Sequence, residues 1–233
     1  MPNPDFVYNP PMSPYLDFVY QDNDIVVAQK PSGLLSVPGK AAEHKDALIT
    51  RVNVVYPTAT VVHRLDMATS GLMVLALNKD SHRNISKQFE LRQTKKRYFA
   101  RVYGHIADEQ GEINLPLICD WPNRPKQMVD FERGKRAITQ FQVVSREVDS
   151  KQRPFTLVAL HPITGRSHQL RVHMLELGHP ILGDRLYAHT DALDMAPRLQ
   201  LHAESLSLKH PQTDDWQHFR SAIPFSEYSP EPI

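Results

Sequence analysis

The sequence predicts an α+β fold in which a mixed, mostly antiparallel sheet is flanked by a few helices. Three observations support this prediction. Short runs of apolar and β-branched residues are frequent, amphipathic helical patterns are few, and the two kinds of pattern do not alternate regularly. Regular alternation would indicate a doubly wound parallel sheet, so its absence favours antiparallel pairing. The chain has 233 residues, which is enough for one substantial core.

The first half of the chain contains the clearest patterns. In order, they predict strands at 16–20 and 24–30, a helix at 45–56, a strand at 70–77, a helix at 80–92 and a strand at 95–104. The helix at 80–92 is amphipathic, since Ile85 and Phe89 lie one turn apart. Tyr98 and Phe99 are neighbours in the last strand and should therefore face opposite sides of the sheet.

The second half repeats this mixture. It contains strand-like runs near 136–146, 155–161, 200–208 and 216–219, and an amphipathic helix at 167–177. Gly178 and Pro180 are the usual signals that end such a helix. The termini are the segments most expected to be irregular, with a flexible N-terminal arm over 1–15, one domain over 16–222 and a C-terminal tail over 223–233.

Composition and charge exclude several classes of protein. The sequence has no apolar run long enough to span a bilayer, and its Pro-rich N-terminus lacks the apolar core of a secretion signal, so we expect a cytoplasmic protein without a membrane partner. A single cysteine, Cys119, excludes an intrachain disulfide and a cysteine-based zinc site. The net charge is only +1, but basic residues cluster at 81–105 and 124–136. Such patches suit a phosphate-bearing ligand or, about equally, a solvated surface.

The first segment whose residues could take part in catalysis is VHRLDMATSG at residues 62–71. Arg64 and Asp66 are separated by one apolar residue, so their side chains point the same way if the backbone is extended. Asp66 can then act as a nucleophile or proton acceptor, with Arg64 beside it to bind phosphate. The residues alone leave open the alternative that Asp66 caps a helix or a turn.

A second segment places three cations, Lys95, Lys96 and Arg97, directly before Tyr98 in a predicted strand. Basic groups can follow a nucleic acid backbone, and an aromatic ring can stack on a base. The alternative is a tyrosine of the core or of an edge strand, with neighbours that are solvated.

The third segment is ITGRSHQLRVH at 163–173, followed by GHPILGD at 178–184. Gly165 permits a tight turn into a helix, and Arg166 near that helix start suits an anion. His168 and His173 lie five residues apart, about 140° around a helix, and so do not share a metal ion by the usual one-turn spacing. A phosphate-cradling loop and a dinucleotide glycine fingerprint are both absent from the sequence. We therefore expect neither a metal nor a cofactor.

Together, these segments resemble the RluA family of pseudouridine synthases. Residues 63–66 with Ser70-Gly71 resemble its catalytic signature, and further matching segments follow in the family's order at 30–33, 96–98, 165–171 and 178–184. Residues 115–127 are similar to the branch of the family that acts on both 23S rRNA and tRNA. Many relatives carry a separate N-terminal RNA-binding domain, but this chain reaches Lys30 too early to contain one.

The resemblance implies an enzyme that isomerises specific uridines in stem-loops of 23S rRNA and of the tRNA anticodon arm by flipping the base. It implies a pseudouridine synthase catalytic domain over 16–222, no cofactor and no obligate protein partner. Asp66 would be the essential catalytic residue, Tyr98 would stack on the target base and Arg166 would pair with Asp66. Arg64 would fill the space that the flipped base leaves. Other expected RNA contacts are His63, Lys95, Lys96, Arg97 and Arg171.

Two other functions compete with this one. A catalytically idle RNA-binding protein, such as a ribosome assembly factor, would use the same basic patches, although binding alone does not need Asp66, Tyr98 and Arg166. A metal-dependent nuclease is disfavoured because the sequence lacks a clustered set of carboxylate or histidine ligands.

Overall fold

A computed structural model describes residues 7–231 of the chain. Its strands are β1 (Phe18–Gln21), β2 (Ile25–Lys30), β3 (Thr60–Val61), β4 (Ser70–Ala76), β5 (Lys95–Tyr103), β6 (Gln110–Asn114), β7 (Leu117–Cys119), β8 (Gln127–Val129), β9 (Ile138–Val148), β10 (Pro154–Pro162), β11 (Leu201–Lys209) and β12 (Trp216–Arg220). Its helices are α1 (Leu48–Val55), α2 (Lys79–Glu90), α3 (Gln169–Glu176) and α4 (Thr190–Asp194). This predominance of strands over helices confirms the predicted α+β class.

The longer elements lie within a few residues of where the sequence patterns placed them. Those without a prediction are the short ones, namely β3, β6, β7, β8 and α4. A run of two to five residues shows too little periodicity to be recognised in the sequence.

The described chain forms two compact units. Unit 1 contains the residues up to Thr94 together with Ser207–Ser221, and unit 2 contains Lys95–Leu206 together with the residues from Ala222 onward. The segment after Leu206 belongs to unit 1, and the C-terminal segment belongs to unit 2.

Unit 1 contains the antiparallel strand order β1–β2–β4. In the pairing of β2 with β4, Ile25 lies opposite Ala76 and Lys30 lies opposite Gly71. All seven residues of β4 are buried, as expected for the uninterrupted apolar run in the sequence. Helix α2 begins after Asn78, whose side chain accepts a hydrogen bond from the Ser81 backbone N–H at 2.9 Å.

Unit 2 contains the antiparallel order β5–β10–β9–β6, and β7 and β8 form a separate two-stranded sheet. Phe99 lies opposite Ala159 in the β5–β10 pair and packs with Leu157, Ala159 and Ile223. Because side chains alternate along a strand, Lys96 and Tyr98 face the side opposite to Arg97 and Phe99. Phe99 therefore contributes to a buried cluster on the side of β5 that also carries Arg97.

Both terminal segments make specific contacts. Residues 1–6 of the expected N-terminal arm lie outside the described residues. The rest is held to unit 1, since the Tyr8 hydroxyl donates to Asp46 O at 2.8 Å and Arg51 Nη1 donates to Pro11 O at 2.9 Å. In the C-terminal tail, Arg97 Nη2 donates to Glu231 O at 3.0 Å. None of the helices between residues 7 and 231 is long and apolar enough to cross a membrane.

Candidate active site

Asp66 lies in unit 1 on a loop between β3 and β4, here called the Asp66 loop (62–69). Leu65 is buried, Asp66 is half-buried and Arg64 is exposed. The Asp66 carbonyl accepts a hydrogen bond from Thr69 N at 3.1 Å, which closes the end of the loop into a turn. Leu65 thus anchors the loop, with Asp66 and Arg64 on either flank of this anchor.

Side chains from the segment after β2 hold the backbone of the Asp66 loop. Ser36 Oγ donates to Leu65 O at 2.7 Å and accepts from Leu65 N at 3.1 Å. Ser32 Oγ donates to Ala68 O at 2.6 Å. These bonds explain why a Lys-Pro-Ser-Gly segment stands close to the loop, a role that no pattern in the sequence revealed.

Lys30 holds the same loop from inside the core. Its side chain is completely buried, and its ammonium group donates to Leu34 O at 2.7 Å, Pro31 O at 2.9 Å and Met67 O at 3.0 Å. A buried cation is costly unless its protons find acceptors, and here three carbonyl oxygens supply them. Lys30 therefore couples the end of β2 to the Asp66 loop.

His63, expected to contact RNA, is engaged within unit 1. Its ring stacks on Phe89 of α2, with centroids 4.5 Å apart. Its Nε2 accepts a hydrogen bond from Val74 N at 3.1 Å. This position favours a structural role for His63, whereas the neighbouring Arg64 is exposed to solvent.

The three cations before Tyr98 are separated by the alternation of β5. Lys95 is exposed, and Lys96 is half-buried on the same side as Tyr98. Burial lowers the pKa of the Lys96 ammonium group. Arg97 lies on the other side, buried, where its Nε donates to Glu204 Oε2 at 2.9 Å. Its guanidinium is thus used inside unit 2, which does not support the expected RNA contact.

Arg166 lies in unit 2 on an exposed turn before α3, here called the Arg166 turn (163–169). Its backbone N–H donates to Gln169 Oε1 at 3.0 Å, and its Nε donates to Arg136 O at 3.1 Å. Within its own unit, the two terminal nitrogens of the Arg166 guanidinium have no hydrogen-bond partner among the described residues. These two terminal nitrogens form the edge of the guanidinium that can bind an anion.

Gln169 fixes the Arg166 turn to β9, and sequence reasoning missed it. Its side chain is 4 % exposed, and its Nε2 donates to Ile138 O at 2.9 Å and Thr139 Oγ1 at 3.0 Å. Its Oε1 also accepts from Thr164 Oγ1 at 2.7 Å. Every polar atom of this amide is used, so it specifies one backbone geometry for the turn.

Arg171 is likewise buried and paired. Its Nε and Nη2 donate to the two oxygens of Asp184, both at 2.7 Å, and its guanidinium lies 5.0 Å from the ring centre of Tyr187. A bidentate pair of this kind occupies both partners. The expected RNA contact at Arg171 is therefore not supported, and the Gly-Asp at the end of segment 178–184 supplies its partner.

The two histidines that raised the metal question form hydrogen bonds within unit 2. His168 Nδ1 lies 2.7 Å from the Tyr187 hydroxyl. His173 is completely buried, with Nδ1 2.9 Å from Thr139 Oγ1 and Nε2 3.0 Å from Leu115 O. Burial also lowers the pKa of His173. The two rings thus serve separate hydrogen-bond networks.

The β7–β8 segment (115–136) carries an exposed aromatic and basic surface. Trp121 is 65 % exposed and Phe131 is 77 % exposed. The Arg124 guanidinium lies 4.4 Å from the Trp121 ring centre. Stacked aromatic and guanidinium groups beside free cations are typical of surfaces that bind single-stranded RNA. The sequence showed the basic residues, but it did not show that Arg124 packs against Trp121.

The expected catalytic residues come from both units. Asp66 belongs to unit 1, whereas Tyr98 and Arg166 belong to unit 2. Within unit 2, Lys96 Nζ lies 4.0 Å from the position that a Cβ on Gly165 would take, so Lys96 of β5 approaches the Arg166 turn. Unit 1 thus offers a carboxylate on a firmly held loop, and unit 2 offers an aromatic ring with cations.

Comparison with known proteins gives consistent matches. The model of the family described as RNA pseudouridylate synthase matches residues 24–176. The Dual-specificity RNA pseudouridine synthase RluA of Escherichia coli (strain K12) is 56 % identical over 218 residues, which are 94 % of this chain and 98 % of the relative. The protein of the same name from Yersinia pestis is 58 % identical over 207 residues, 89 % of this chain and 98 % of the relative.

Solved structures show the same relationship at lower identity. Human RNA Pseudouridylate Synthase Domain Containing 1 has a TM-score of 0.76 and 28 % identity, covering 96 % of this chain and 87 % of that chain. Human RNA Pseudouridylate Synthase Domain Containing 4 has a TM-score of 0.70 and 26 % identity, covering 89 % of this chain and 88 % of that chain.

Proposed function

The chain belongs to the RNA pseudouridylate synthase family, and from that premise we propose that Asp66 is the carboxylate on which its reaction depends. The chain is a pseudouridine synthase, an isomerase that converts uridine in RNA to pseudouridine. The reaction detaches uracil from its ribose and rejoins the two through carbon. Atoms are rearranged within one nucleotide, so the chemistry consumes no second substrate.

The main support for this proposal is the way in which the Asp66 loop is held in place. Asp66 is the single carboxylate between residues 62 and 69. Lys30, Ser32 and Ser36 hold the backbone on both sides of it, so its position is specified before RNA arrives. Asp66 then acts on the flipped uridine as nucleophile or base, and the half-buried site limits access of water.

Tyr98 and Arg166 have supporting roles in the proposal. The Tyr98 ring stacks on the flipped uracil, and Lys96 on the same side of β5 faces the RNA. Arg166 pairs with Asp66 in the working enzyme through the outer edge of its guanidinium fork. Support for this assignment comes from the Nε bond to Arg136 O, because it leaves the terminal nitrogens available. The exposed Arg64 fills the space that the base leaves in the RNA.

We further propose that the RNA substrates are stem-loops of 23S rRNA and of the tRNA anticodon arm, and that the enzyme therefore works in the cytoplasm. The relatives from E. coli and Y. pestis are named dual-specificity enzymes. The β7–β8 segment supports recognition of a loop, since Trp121 and Arg124 offer a stacking surface to unpaired bases. An idle assembly factor is not supported, since the matching relatives are named as enzymes.

Mapping of pseudouridine in 23S rRNA and tRNA from cells with and without the protein tests the proposed substrates. In cells without the protein, we expect at least one position in each RNA class to remain uridine. The wild-type gene should restore pseudouridine at that position, and Asp66→Asn should not. Loss from one RNA class alone would refute dual specificity. Restoration by Asp66→Asn would refute the role of Asp66.

A further inference from the structure

Two connections within unit 2 join the ends of the β7–β8 segment to the Arg166 turn. At the C-terminal end, Arg136 O accepts the hydrogen bond from Arg166 Nε. At the N-terminal end, Leu115 O lies 3.0 Å from His173 Nε2, and Gln169 connects to that network through Thr139. The segment proposed to bind RNA and the turn proposed to act in catalysis are therefore not independent.

Tyr187 forms a third connection, and it belongs to neither segment. Its hydroxyl oxygen accepts a hydrogen bond from Gln127 N of β8 at 2.8 Å and lies at hydrogen-bond distance, 2.7 Å, from His168 Nδ1. Its ring packs against a buried cluster that includes Leu117 of β7, and Val129 of β8 packs against the same cluster. One hydroxyl group thus bonds both to the β7–β8 segment and to the Arg166 turn.

The backbone of His168 explains why this bond matters to the turn. His168 has φ +53°, in the left-handed region that residues other than glycine rarely adopt. It lies two residues after Arg166, and its side chain does not cap α3. The bond from its ring to Tyr187 opposes relaxation of this strained residue, and so holds the exit of the turn.

We propose that Tyr187 is a positioning residue for the isomerisation, whose hydroxyl keeps the Arg166 turn in register with the β7–β8 segment. RNA that docks on Trp121 and Arg124 then meets Arg166 in its working orientation. This inference rests on the proposed function. Stacking of an unpaired base on the β7–β8 segment is thereby coupled to the position of the Arg166 guanidinium.

Tyr187→Phe removes the hydroxyl and keeps the ring over Arg171. Loss of one net hydrogen bond predicts a fall of about five- to tenfold in the single-turnover rate at saturating stem-loop RNA, measured as tritium released from uracil-C5-labelled RNA. The Kd for RNA is expected to change less than about twofold. Tyr56→Phe is the matched control, because it removes a hydroxyl bond to Gln21 Oε1 in unit 1 and should leave the rate unchanged.

A double-mutant cycle tests whether Tyr187 acts through Arg166. In an Arg166→Lys background, which cannot reproduce the Nε bond to Arg136 O, Tyr187→Phe should cause little further loss. His168→Asn tolerates the left-handed backbone but cannot reach Tyr187, so it should repeat the loss and should not add to Tyr187→Phe. The unfolding midpoint of each variant is measured as well. If either Tyr187→Phe or His168→Asn folds poorly, the other variant still tests the proposal.

Three outcomes would overturn the proposal. They are a wild-type rate in Tyr187→Phe, an equal loss in both Arg166 backgrounds, or a loss confined to the Kd for RNA. An inactive wild-type enzyme on 23S rRNA and tRNA stem-loops would instead refute the proposed function, so the two failures are distinguishable.

Discussion

In the Asp66 loop of unit 1, Lys30, Ser32 and Ser36 bond to the backbone, whereas in the Arg166 turn of unit 2 the Arg166 side chain itself also bonds to a neighbouring backbone carbonyl. Lys30, Ser32 and Ser36 bond to carbonyl groups of the Asp66 loop. In the Arg166 turn, Gln169 bonds to the backbone, and Arg166 uses its own Nε to reach Arg136 O.

The two residues should therefore respond differently to replacement. A change at Asp66 should remove chemistry and leave its loop intact, because the loop does not depend on the carboxylate for the bonds from Lys30, Ser32 and Ser36. A change at Arg166 should remove both a charge and an anchor, because Nε holds the side chain in place.

The largest effect among the supporting residues is expected at Arg166. Arg166→Met should lower turnover by at least ~100-fold, the order expected for removal of a positioned electrostatic group. Arg166→Lys keeps the charge but loses the bond to Arg136 O, so we expect an intermediate rate. Single-turnover tritium release measures both, with the exposed Arg185→Met as control. Normal turnover of bound RNA by Arg166→Met would make Arg166 a phosphate contact only.

A smaller loss is expected when the Asp66 loop is released from the core. Lys30→Met removes the shared donor of the carbonyls of Pro31, Leu34 and Met67. Met67 O keeps its bond from Gly33 N at 2.8 Å, and each buried carbonyl left unsatisfied costs on the order of 1–3 kcal/mol of folding free energy. We expect turnover to fall about tenfold, as for loss of a positioning contact, in enzyme that is still folded.

Lys45→Met is the matched control for this prediction. Lys45 also donates to two carbonyls, those of Gly39 and Lys40, but in an exposed site where water can replace it. Chemical denaturation and single-turnover rates are measured for both variants. Equal effects at Lys30 and Lys45 would show that burial of the Lys30 ammonium group is irrelevant to the loop.

A third prediction concerns the surface of unit 2 that we propose to bind RNA. Neutralising the exposed Arg124 and Lys135 to Gln should weaken RNA binding and flatten its salt dependence, by about 0.7 in log–log slope for each lost contact with single-stranded RNA. Lys40→Gln with Lys151→Gln, two exposed cations elsewhere, should leave the slope unchanged. An unchanged slope in the first pair would place the RNA on another surface.

The smallest effect is a pH dependence of stability that belongs to unit 2. Burial lowers the pKa of His173, which lies in the network of the Arg166 turn. The unfolded chain therefore binds a proton more readily, and the stabilising contribution of neutral His173 is lost as pH falls below its ordinary value of 6.5.

His161 and His202 have pKa values lowered in the same direction, so wild type must be compared with His173→Gln. The variant should lose less stability than wild type between pH 7 and pH 5, by a few degrees in Tm. Identical pH dependence of the two proteins would exclude His173 from the titration.

The sequence predicted the sheet-rich class and the segments that hold Asp66, Tyr98 and Arg166, because local periodicity and motif spacing carry that information. It did not predict the burial of Arg97, whose partner Glu204 is 107 residues away. The role of Lys30 was equally hidden, since Met67 lies 37 residues along the chain. The local sequence does not show whether a cation before a tyrosine binds RNA or pairs with a carboxylate that is distant in the chain.

We propose that Asp66 performs the chemistry while the β7–β8 segment binds RNA. A side-by-side measurement of RNA Kd and single-turnover tritium release for Asp66→Asn and for Trp121→Ala tests this division of roles. We expect that Asp66→Asn binds RNA normally and releases no tritium, whereas Trp121→Ala binds weakly and reacts at a near-normal rate once saturated. Turnover by Asp66→Asn, or unchanged RNA affinity in Trp121→Ala, would contradict it.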